Sequence, residues 1–316
     1  MLKQNVSLKD LSNYKIGGEA AYFLEARKEQ DLLEGIREWR AVSKDLSEDE
    51  KKVFILGGGT NILFSDEGFK GLVIKISLDS MTADGNRVLV GAGTLMSKLN
   101  DFCIENSLSG LEWAGGIPGT VGGAVRGNAG AFGGETKDNI LSVTSLNLKD
   151  LNVIKRSNQE CEFSYRSSIF KTKATDEVII SASLGLKKGE REAIEKQINE
   201  KAEFRKAKHP LESPNAGSVF KNVPFESVPV WYKNELQQYV KDDPIPVVPA
   251  AKIIFLAGLK GKRVGDAAVS DKHTNFIVNL GNAKARDVSD LIQIIKDKVR
   301  QKYGISLEEE IMRLDQ

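Results

Sequence analysis

Residues 110–134 read GLEWAGGIPGTVGGAVRGNAGAFGG, and ten of the chain's 29 glycines fall within this stretch. A flexible linker would carry Ser, Gln or charge between its glycines, whereas this segment carries Leu111, Trp113 and Val121, whose side chains favour burial. The Gly-X-Y period of collagen is absent. The segment is therefore an ordered loop, in which the missing Cβ atoms serve either tight turns or the close approach of a ligand to the backbone.

The bulk composition indicates a soluble globular protein of two or three domains. The chain has 316 residues, of which 41% are hydrophobic and 28% charged. Its net charge of +1 provides no global field that would attract nucleic acid or an anionic membrane. Residues 1–18 are too polar for a signal peptide, and no apolar run is long enough to cross a bilayer. We therefore expect a cytoplasmic protein that binds neither nucleic acid nor membrane.

Cysteine and histidine are both scarce, which limits the metal and thiol chemistry that the chain can support. The two cysteines, Cys103 and Cys161, have no neighbours at metal-ligand spacing, and they indicate buried thiols in a reducing compartment. Because His209 and His273 are the only histidines, a multi-histidine metal site is not expected. The sequence predicts no bound metal.

Hydrophobic periodicity predicts a mixed α+β chain. Helices are predicted over 28–42, 94–108, 190–208, 250–258 and 285–303, and strands over 20–26, 71–76, 87–93, 140–148, 151–156, 177–186 and 305–314; residues 52–66 are predicted to be a buried strand that runs into a glycine turn. Thr94 is the predicted N-cap of the second helix, and Gly258 and Gly304 are predicted stop signals. A domain boundary is expected around the third helix, which ends before Pro210.

A second glycine cluster, ILGGGTN at 55–61, follows a predicted strand. Successive backbone N–H groups in such a turn can form an anion-binding nest, to which Thr60 and Asn61 add donors; a simple turn is the alternative. The cluster is not a Rossmann fingerprint, because Ile62 stands where the third glycine would be. Together with the 110–134 loop, it suits a ligand with a long phosphate-containing middle, a description that FAD fits.

Three polar clusters could carry chemistry, and each has a structural alternative. Ser218 in SPNAGSVFKN could donate a proton or cap a turn, and no G-x-S-x-G motif marks it as a hydrolase nucleophile. Arg166 in FSYRSS suits a carboxylate, a developing oxyanion or a structural salt bridge. Strand periodicity puts Glu308 and Glu310 on one face, where they would either shift each other's pKa near a site or be solvated.

Taken in order along the chain, these segments resemble the UDP-N-acetylenolpyruvoylglucosamine reductase family nearly from end to end. The matching segments are NYKIGG (13–18), LGGGTNIL (56–63), GLEWAGGIPGTVGGAVRGNAGAFGGE (110–135), YRSS (165–168), NAGSVFKN (215–222), AGLKGKRVGDAAVSDKHTNFIVN (257–279) and LEEEI (307–311). The glycine loop followed by GSVFKN is the most specific part of the resemblance.

The resemblance implies an α+β protein with a two-part FAD-binding fold of the vanillyl-alcohol-oxidase type and a C-terminal α/β substrate domain. The expected parts are FAD-binding subdomain 1 over residues 1–78, subdomain 2 over 79–203 and the substrate domain over 204–316, whose tail 305–316 returns to the active site. FAD would be held non-covalently and reduced by NADPH. Its N5 would deliver hydride to C3 of the enolpyruvyl group of a UDP-sugar, and C2 would then be protonated.

The resemblance also implies the roles of individual residues. Ser218 would be the proton donor, while Arg166 and Glu310 would stabilise the enolate-like intermediate, with Glu308 in support. Substrate contacts are expected from Tyr165, Lys208, Lys221 and Asn222. Contacts with FAD are expected from Gly57, Gly58, Gly59, Thr60, Asn61, Gly115, Gly116, Ile117, Pro118, Gly119, Thr120, Gly122, Gly123, Asn128, Ala129 and Gly130.

The chain also departs from the family pattern, and two rival functions are compatible with the same fold. Glu309 stands where the family has a tail proline, residues 223–249 are longer than expected, and the helix at 250–258 has Phe255 and Leu256 where an acidic-polar pair is usual. No tyrosine-bearing loop of the longer subclass is evident, which favours the shorter subclass. The rivals are a carbohydrate or alcohol oxidase on the same FAD fold and a non-catalytic UDP-sugar-binding protein.

Two observations argue against these rivals. Many such oxidases tether flavin to a histidine in the first domain, whereas both histidines of this chain lie beyond residue 208. A binding protein without turnover is expected to lack at least one of Arg166, Ser218 and Glu310, and all three are present. The reductase is therefore the predicted function.

Overall fold

The structure is a computed structural model that describes residues 1–243 and 245–314. It contains two compact units, both built from discontinuous parts of the chain. Unit 1 comprises residues 1–6, 20–58 and 70–205, and unit 2 comprises residues 7–19, 59–69 and 206 onward. The short segments 7–19 and 59–69, which lie within the predicted first FAD-binding subdomain, therefore belong to the same unit as the C-terminal third.

The helices agree with the sequence pattern. They are α1 (Glu29–Val42), α2 (Met96–Glu105), α3 (Val121–Gly127), α4 (Ile169–Thr172), α5 (Arg191–Lys208), α6 (Val230–Leu236), α7 (Ala250–Leu256) and α8 (Ala285–Tyr303). All five predicted helices are confirmed. The predicted N-cap Thr94 is wrong by one residue: Leu95 is the N-cap of α2, because Thr94 belongs to the preceding turn, where its N–H donates to the carbonyl of Gly91 at 3.1 Å.

The strands are β1 (Lys3–Ser7), β2 (Glu19–Ala26), β3 (Val53–Leu56), β4 (Ile62–Phe64), β5 (Phe69–Ile76), β6 (Met81–Asp84), β7 (Arg87–Gly91), β8 (Leu108–Ser109), β9 (Gly130–Ala131), β10 (Gly134–Glu135), β11 (Ile140–Asn147), β12 (Val153–Ser157), β13 (Glu177–Gly185), β14 (Lys187–Lys188), β15 (Val223–Pro224), β16 (Lys241–Asp242), β17 (Pro246–Val248), β18 (Arg263–Val264), β19 (Ala267–Val269), β20 (Ile277–Asn279) and β21 (Met312–Leu314). The longest strands, of eight or nine residues, are β2, β5, β11 and β13.

Unit 1 is organised around two sheets that share one hydrophobic core. The first has the order β1-β2-β5-β3, with β3 and β5 parallel, and the second has the order β12-β11-β13-β7-β6, with antiparallel neighbours. Leu32, Ile36 and Trp39 recur at helical spacing along α1 and are buried. The core also takes in the apolar side chains of the glycine-rich loop, including Trp113 and Val121. This burial confirms that the loop is ordered rather than a linker.

Unit 2 is built on α8 and small sheets. Apolar residues recur at three- and four-residue spacing on α8 and are buried, and the helix ends at Gly304, whose φ of +67° confirms the predicted stop signal. Tyr14, from the N-terminal segment, is fully buried in this core and donates its hydroxyl hydrogen to the carbonyl of Ile277 at 2.9 Å. The NYKIGG segment is therefore a structural part of unit 2.

The predicted final strand over 305–314 is wrong in its extent. Only Met312–Leu314 forms a strand, β21, and it pairs in parallel with β4, Met312 opposite Ile62. Glu309 makes an isolated antiparallel bridge with Phe220. The tail exchanges hydrogen bonds with separate segments of unit 2, so that no continuous strand ladder forms. Over the described ranges 1–243 and 245–314, no helix combines the length and the apolar character needed to span a bilayer.

Candidate active site

The two glycine clusters of the sequence meet within unit 1. A Cβ atom added to Gly57 would lie 2.7 Å from Oγ1 of Thr120. Thr120 is the N-cap of α3, and its Oγ1 accepts a hydrogen bond from the N–H of Gly123 at 3.4 Å. Only glycine therefore allows the turn after β3 to approach the start of α3 this closely.

Some glycines of the loop are required by packing against protein. A Cβ on Gly115 would lie 2.3 Å from the carbonyl oxygen of Ile198, and one on Gly116 would lie 3.0 Å from Cα of Ala202, both on α5. A Cβ on Gly122 would lie 2.9 Å from Cβ of Ala92. Glycine at these positions lets the loop lie against α5 and the sheet. The number of glycines in the sequence cannot distinguish this packing role from contact with a ligand.

Other glycines of the loop have an open face. A Cβ on Gly123 would meet nothing nearer than Oγ1 of Thr120 at 3.6 Å, and one on Gly127 would meet nothing within 4 Å. Gly119 has a φ of +102°, which side chains rarely adopt. The exposed backbone next to the Gly57–Thr120 contact is a surface that a flat, elongated ligand can approach, and these residues fit FAD.

Asn128 ties this loop to the segment that carries Arg166. It is fully buried and in the left-handed conformation, with a φ of 42°. Its Nδ2 donates to Oε1 of Glu135 at 3.1 Å and to the carbonyl of Ser164 at 3.0 Å, and its Oδ1 accepts from the N–H of Lys137 at 3.0 Å. Since these protein groups occupy its side chain, Asn128 contributes to the site by holding the 164–167 turn.

Tyr165 and Arg166 form the tip of that turn. The N–H of Ser164 donates to the carbonyl of Ser167 at 3.0 Å, and the reverse bond is 3.1 Å. Arg166 has a φ of +54°, which costs a residue with a side chain about 1–2 kcal/mol. Its guanidinium lies 5.1 Å from the ring centroid of Tyr165, and a Cβ on Gly130 would lie 3.2 Å from its Nη1. Strain of this kind is typical of a functional position.

The environment of Arg166 contains further positive charge. Arg205, on α5, donates from Nε to the carbonyl of Gly115 at 3.1 Å. Burial lowers the pKa of Arg205 to about 10, and the nearby charge of Arg166 adds to the shift. Two guanidinium groups in one partly buried region of unit 1 favour an anionic ligand.

Within unit 2, the structure brings the segments of Ser218 and Glu310 together. The N–H of Glu310 donates to the carbonyl of Val219 at 2.8 Å, and the N–H of Lys221 donates to the carbonyl of Glu308 at 2.9 Å. Ser218 and Glu310 are both half-buried. Asn61 adds a third segment, because its Nδ2 donates to the carbonyl of Glu310 at 3.0 Å and its carbonyl accepts from the N–H of Met312 at 3.0 Å.

The backbone around the three tail acids alternates between buried and exposed residues as an extended chain does, although residues 305–311 form no assigned strand. Glu308 has a side chain that is 74% exposed and forms an ion pair with Lys221 at 2.9 Å. Glu309 is 14% exposed and contacts Nζ of Lys296 at 2.5 Å and Nε of Arg313 at 3.0 Å. Glu309 therefore lies on the more buried face and Glu308 on the exposed one, whereas the sharing of a face by Glu308 and the half-buried Glu310 stays a prediction.

Several predicted substrate-binding residues have protein partners. Lys221 is paired with Glu308. Oδ1 of Asn222 accepts from the N–H of Ala250 at 3.2 Å, and its Nδ2 donates to Oδ2 of Asp243 at 3.4 Å. Lys208 is exposed at the end of α5. Asn222 thus connects the segment after Ser218 to the start of α7.

A basic pocket in unit 2 was missed by the sequence reasoning. Its volume is about 580 Å³, and its lining includes Tyr239, Lys241, Lys252, Phe255, Lys260, Lys272 and His273. Nζ of Lys252 lies 4.2 Å from the ring centroid of Tyr239 and 5.1 Å from that of Phe255. Burial lowers the pKa of His273 to about 4, and Lys241 adds to the shift. Cations beside aromatic rings suit a nucleoside diphosphate.

No local motif marks this pocket. Its lysines are spread over residues 241–272 and converge only when α7 packs against the segment before it and against the 271–274 turn. The one feature of the sequence that could have indicated the pocket is the unusual length of residues 223–249, because that segment supplies Tyr239 and Lys241 to its lining.

Comparison with known proteins gives consistent matches along the chain. Residues 209–314 match the family described as UDP-N-acetylenolpyruvoylglucosamine reductase, C-terminal domain, and residues 32–153 match the FAD binding domain family. The UDP-N-acetylenolpyruvoylglucosamine reductase of Clostridium novyi (strain NT) is 36% identical over 311 residues, which are 98% of this chain and 91% of that protein. That of Fervidobacterium nodosum is 39% identical over 308 residues, with 97% and 90% covered.

A solved structure matches over the whole length. The crystal structure of UDP-N-acetylenolpyruvylglucosamine reductase from Thermus caldophilus has a TM-score of 0.76 at 31% identity, and the match covers 100% of both chains. The predicted fold class, an α+β chain with an FAD-binding fold and a C-terminal substrate domain, is confirmed by this match and by the FAD binding domain.

Proposed function

Because the chain belongs to the UDP-N-acetylenolpyruvoylglucosamine reductase family, we propose that it reduces the enolpyruvyl group of UDP-N-acetylglucosamine enolpyruvate to UDP-N-acetylmuramate. NADPH is the reductant and FAD the cofactor. The observation that carries the proposal is the backbone pairing of the Ser218 segment with the Glu310 segment in a chain 36% identical to a named reductase over 98% of its length. We also propose a cytoplasmic location and a role in peptidoglycan precursor synthesis, and through it in cell shape and division.

We propose that residues 1–78 and 79–203 supply the FAD-binding functions and residues 204–316 the substrate domain. The turn at 57–61 and the backbone of 115–130 would hold the cofactor, with Gly123 and Gly127 offering the open faces described above. When bound, FAD supplies the transfer of a hydride from NADPH to C3 of the enolpyruvyl group. The backbone of the chain excludes water and orients the cofactor along this surface.

Ser218 is proposed to donate the proton that C2 of the substrate receives. The N–H groups of Val219 and Lys221, which follow Ser218, are both hydrogen-bonded, so the backbone next to the hydroxyl is held in place. Glu310 is proposed to stabilise the enolate-like intermediate by a hydrogen bond or to relay a proton. Arg166 is proposed to stabilise the negative charge, a role for which a planar, permanently charged guanidinium is suited.

The basic pocket is proposed to bind the UDP portion of the substrate. Its lysines balance the charge of a diphosphate, and the rings of Tyr239 and Phe255 offer faces for a base. This assigns a function to residues 223–249. Tyr165 and Lys208 are retained as proposed substrate contacts, and Lys221 and Asn222 are proposed to act at the same site through their positions beside Ser218 and α7.

The test is a mixture of purified protein, NADPH and the enolpyruvyl UDP-sugar. We expect loss of NADPH absorbance that requires the sugar and yields no peroxide. Peroxide formation would instead support the oxidase, and tight sugar binding without NADPH loss would support a non-catalytic binding protein. A separate control is the cofactor: the protein should be yellow, and acid or heat should release free FAD, since no histidine lies in residues 1–208 to tether it.

A further inference from the structure

Asn275 holds the backbone of the two residues that follow Ser218. The residue is 3% exposed. Its Oδ1 accepts from the N–H of Phe220 at 3.0 Å, and its Nδ2 donates to the carbonyl of Phe220 at 2.8 Å. Its own carbonyl accepts from the N–H of Val219 at 2.8 Å. The remaining backbone group of the pair, the carbonyl of Val219, accepts from the N–H of Glu310 at 2.8 Å.

All four main-chain polar groups of Val219 and Phe220 are therefore satisfied, three by Asn275 and one by Glu310. A buried backbone group keeps its partner because leaving it unpaired costs a large part of the hydrogen-bond energy. The segment cannot slide relative to Glu310 without breaking bonds to Asn275. We propose that Asn275 is a positioning residue for the reaction, which sets the place of Ser218 relative to Glu310; the inference rests on the proposed function.

Asn275 also connects this backbone to the basic pocket. It follows His273 and Thr274, which line the pocket. The turn is closed by the N–H of Phe276 donating to the carbonyl of His273 at 2.9 Å, and by the N–H of Ser270 donating to the carbonyl of Phe276 at 2.8 Å. One turn thus forms both a pocket wall and the support of the Ser218 segment.

The test is Asn275→Asp, which keeps the shape of the side chain and the acceptor for Phe220 N–H but removes the donor to the Phe220 carbonyl. We expect the substrate-driven half-reaction to slow roughly tenfold or more, the scale on which small misplacements act. Its solvent deuterium isotope effect should rise, because proton transfer becomes more rate-limiting. KM should change by less than about twofold and the NADPH-driven half-reaction should be unaffected, since neither uses the proton of Ser218.

The matched control is Asn279→Asp. Asn279 is also 3% exposed and lies in unit 2. Its Nδ2 donates to the carbonyl of Tyr14 at 3.0 Å, and its Oδ1 accepts from the N–H groups of Gly281 at 2.8 Å and Ala283 at 3.0 Å. Both variants should lose a similar amount of thermal stability, but only Asn275→Asp should change the isotope effect. If the aspartates do not fold, Asn275→Ser and Asn279→Ser make the same comparison.

Equal slowing in the two variants, or a normal isotope effect in a folded Asn275 variant, would overturn the positioning role. A wild-type protein that binds FAD yet does not turn over the enolpyruvyl sugar would instead overturn the proposed function and, with it, the inference. The rate at which the wild-type protein turns over the enolpyruvyl sugar therefore distinguishes a failure of the positioning role from a failure of the proposed function.

Discussion

The glycine-rich loop of unit 1 and the Ser218 segment of unit 2 both fix a backbone in place, but by opposite physical means. In the loop, the backbone packs directly against neighbouring backbone because its glycines have no side chains. A Cβ on Gly115, for example, would lie 2.3 Å from a carbonyl oxygen of α5. In the Ser218 segment hydrogen-bonding partners do so: the side chain of Asn275 makes two hydrogen bonds to Phe220, and its main-chain carbonyl accepts one from Val219.

This difference determines which substitutions each region tolerates. In the loop, added volume is damaging because the neighbours are backbone atoms that cannot move aside. In the Ser218 segment, an isosteric change that preserves volume is damaging if it removes a donor or acceptor. Volume should therefore be the variable that matters in unit 1, and hydrogen-bonding chemistry the variable that matters in unit 2.

The most direct test of the chemistry of unit 2 is Ser218→Ala. The change removes one oxygen from a half-buried side chain and should leave the fold intact. We expect the substrate-driven half-reaction to slow by about 10²-fold or more, the usual effect of losing a positioned acid, while the NADPH-driven half-reaction stays near normal. Stopped-flow measurement of both half-reactions decides the matter, and equal slowing of the two would mean that Ser218 is structural.

The two tail acids Glu308 and Glu310 test which carboxyl group of unit 2 takes part in the reaction, because they are close in sequence but differ in exposure. Glu310→Gln keeps the shape but cannot relay a proton, and should slow the substrate-driven half-reaction roughly tenfold or more. Glu308→Gln should change that rate little, since Glu308 is 74% exposed and paired with Lys221. Stopped-flow traces of both variants test the assignment. A slow Glu308 variant beside a normal Glu310 variant would require the catalytic acid to be reassigned.

Gly115→Ala tests whether volume governs the loop. One added methyl group meets the carbonyl of Ile198, and we expect a loss of about 1–3 kcal/mol in the free energy of unfolding, measured as a lower thermal transition of the apo-protein.

Gly127→Ala is the matched control, because nothing lies within 4 Å of its added Cβ. In a helix this change should be neutral or stabilise by up to about 1 kcal/mol. The open face of Gly127 is proposed to face the cofactor. The affinity of the Gly127→Ala variant for FAD, measured by flavin fluorescence, should therefore fall even though the stability of the variant does not. Equal destabilisation by the two alanines would contradict the packing role of Gly115.

Arg166 is an exception to the pattern of the glycine-rich loop. Its backbone has a φ of +54°, which favours glycine, yet the position carries a large charged side chain. Glycine adopts a φ of +54° more readily than alanine, so we expect Arg166→Gly to be about 1 kcal/mol more stable than Arg166→Ala, while both variants lose turnover. Thermal unfolding of Arg166→Gly beside Arg166→Ala isolates the effect, since alanine retains the left-handed strain. A glycine variant no more stable than the alanine variant would show that the turn is unstrained.

The smallest expected effect concerns His273. Burial lowers its pKa to about 4 from an unperturbed value near 6.5, with Lys241 contributing and His209 packed at 5.2 Å between ring centroids. The unfolded chain therefore binds a proton that the folded chain does not, and stability falls as pH falls from about 6.5 towards 4. In His273→Gln this part of the pH dependence should disappear. Urea unfolding of both proteins across that range measures it, and parallel curves would show that His273 does not contribute.

Much of the fold was predictable from the sequence, because helices depend on local periodicity and stop signals. The helix Ala285–Tyr303 and its end at Gly304 agree with prediction to the residue. The extent of the final strand was not predictable, because the alternating pattern runs from 305 to 314 whereas backbone pairing forms only at the bridge of Glu309 and over Met312–Leu314.

The parts of the candidate site that were missed depend on contacts between distant residues. The basic pocket collects Lys241, Lys252 and Lys272 from separate elements, and no local pattern reports that convergence. The bonds of Asn275 to Phe220 span 55 residues of sequence, and an asparagine gives no sign of which backbone groups it will satisfy. The glycine loop was recognised, but packing glycines such as Gly115 could not be separated from open ones such as Gly127 until their neighbours were known.

The discontinuity of unit 2 has a consequence for how the protein is made on the ribosome. Residues 7–19 and 59–69 emerge early, yet the partners of Tyr14 and Leu63 in their core come from residues after 206. At roughly 5–20 residues per second, the stretch from Phe69 to Lys206 takes on the order of ten seconds to synthesise. During that interval unit 1 can fold around its own core, while the early segments of unit 2 keep their apolar side chains in water. The nascent chain therefore exposes apolar side chains such as those of Tyr14 and Leu63 until the C-terminal third is made and covers them.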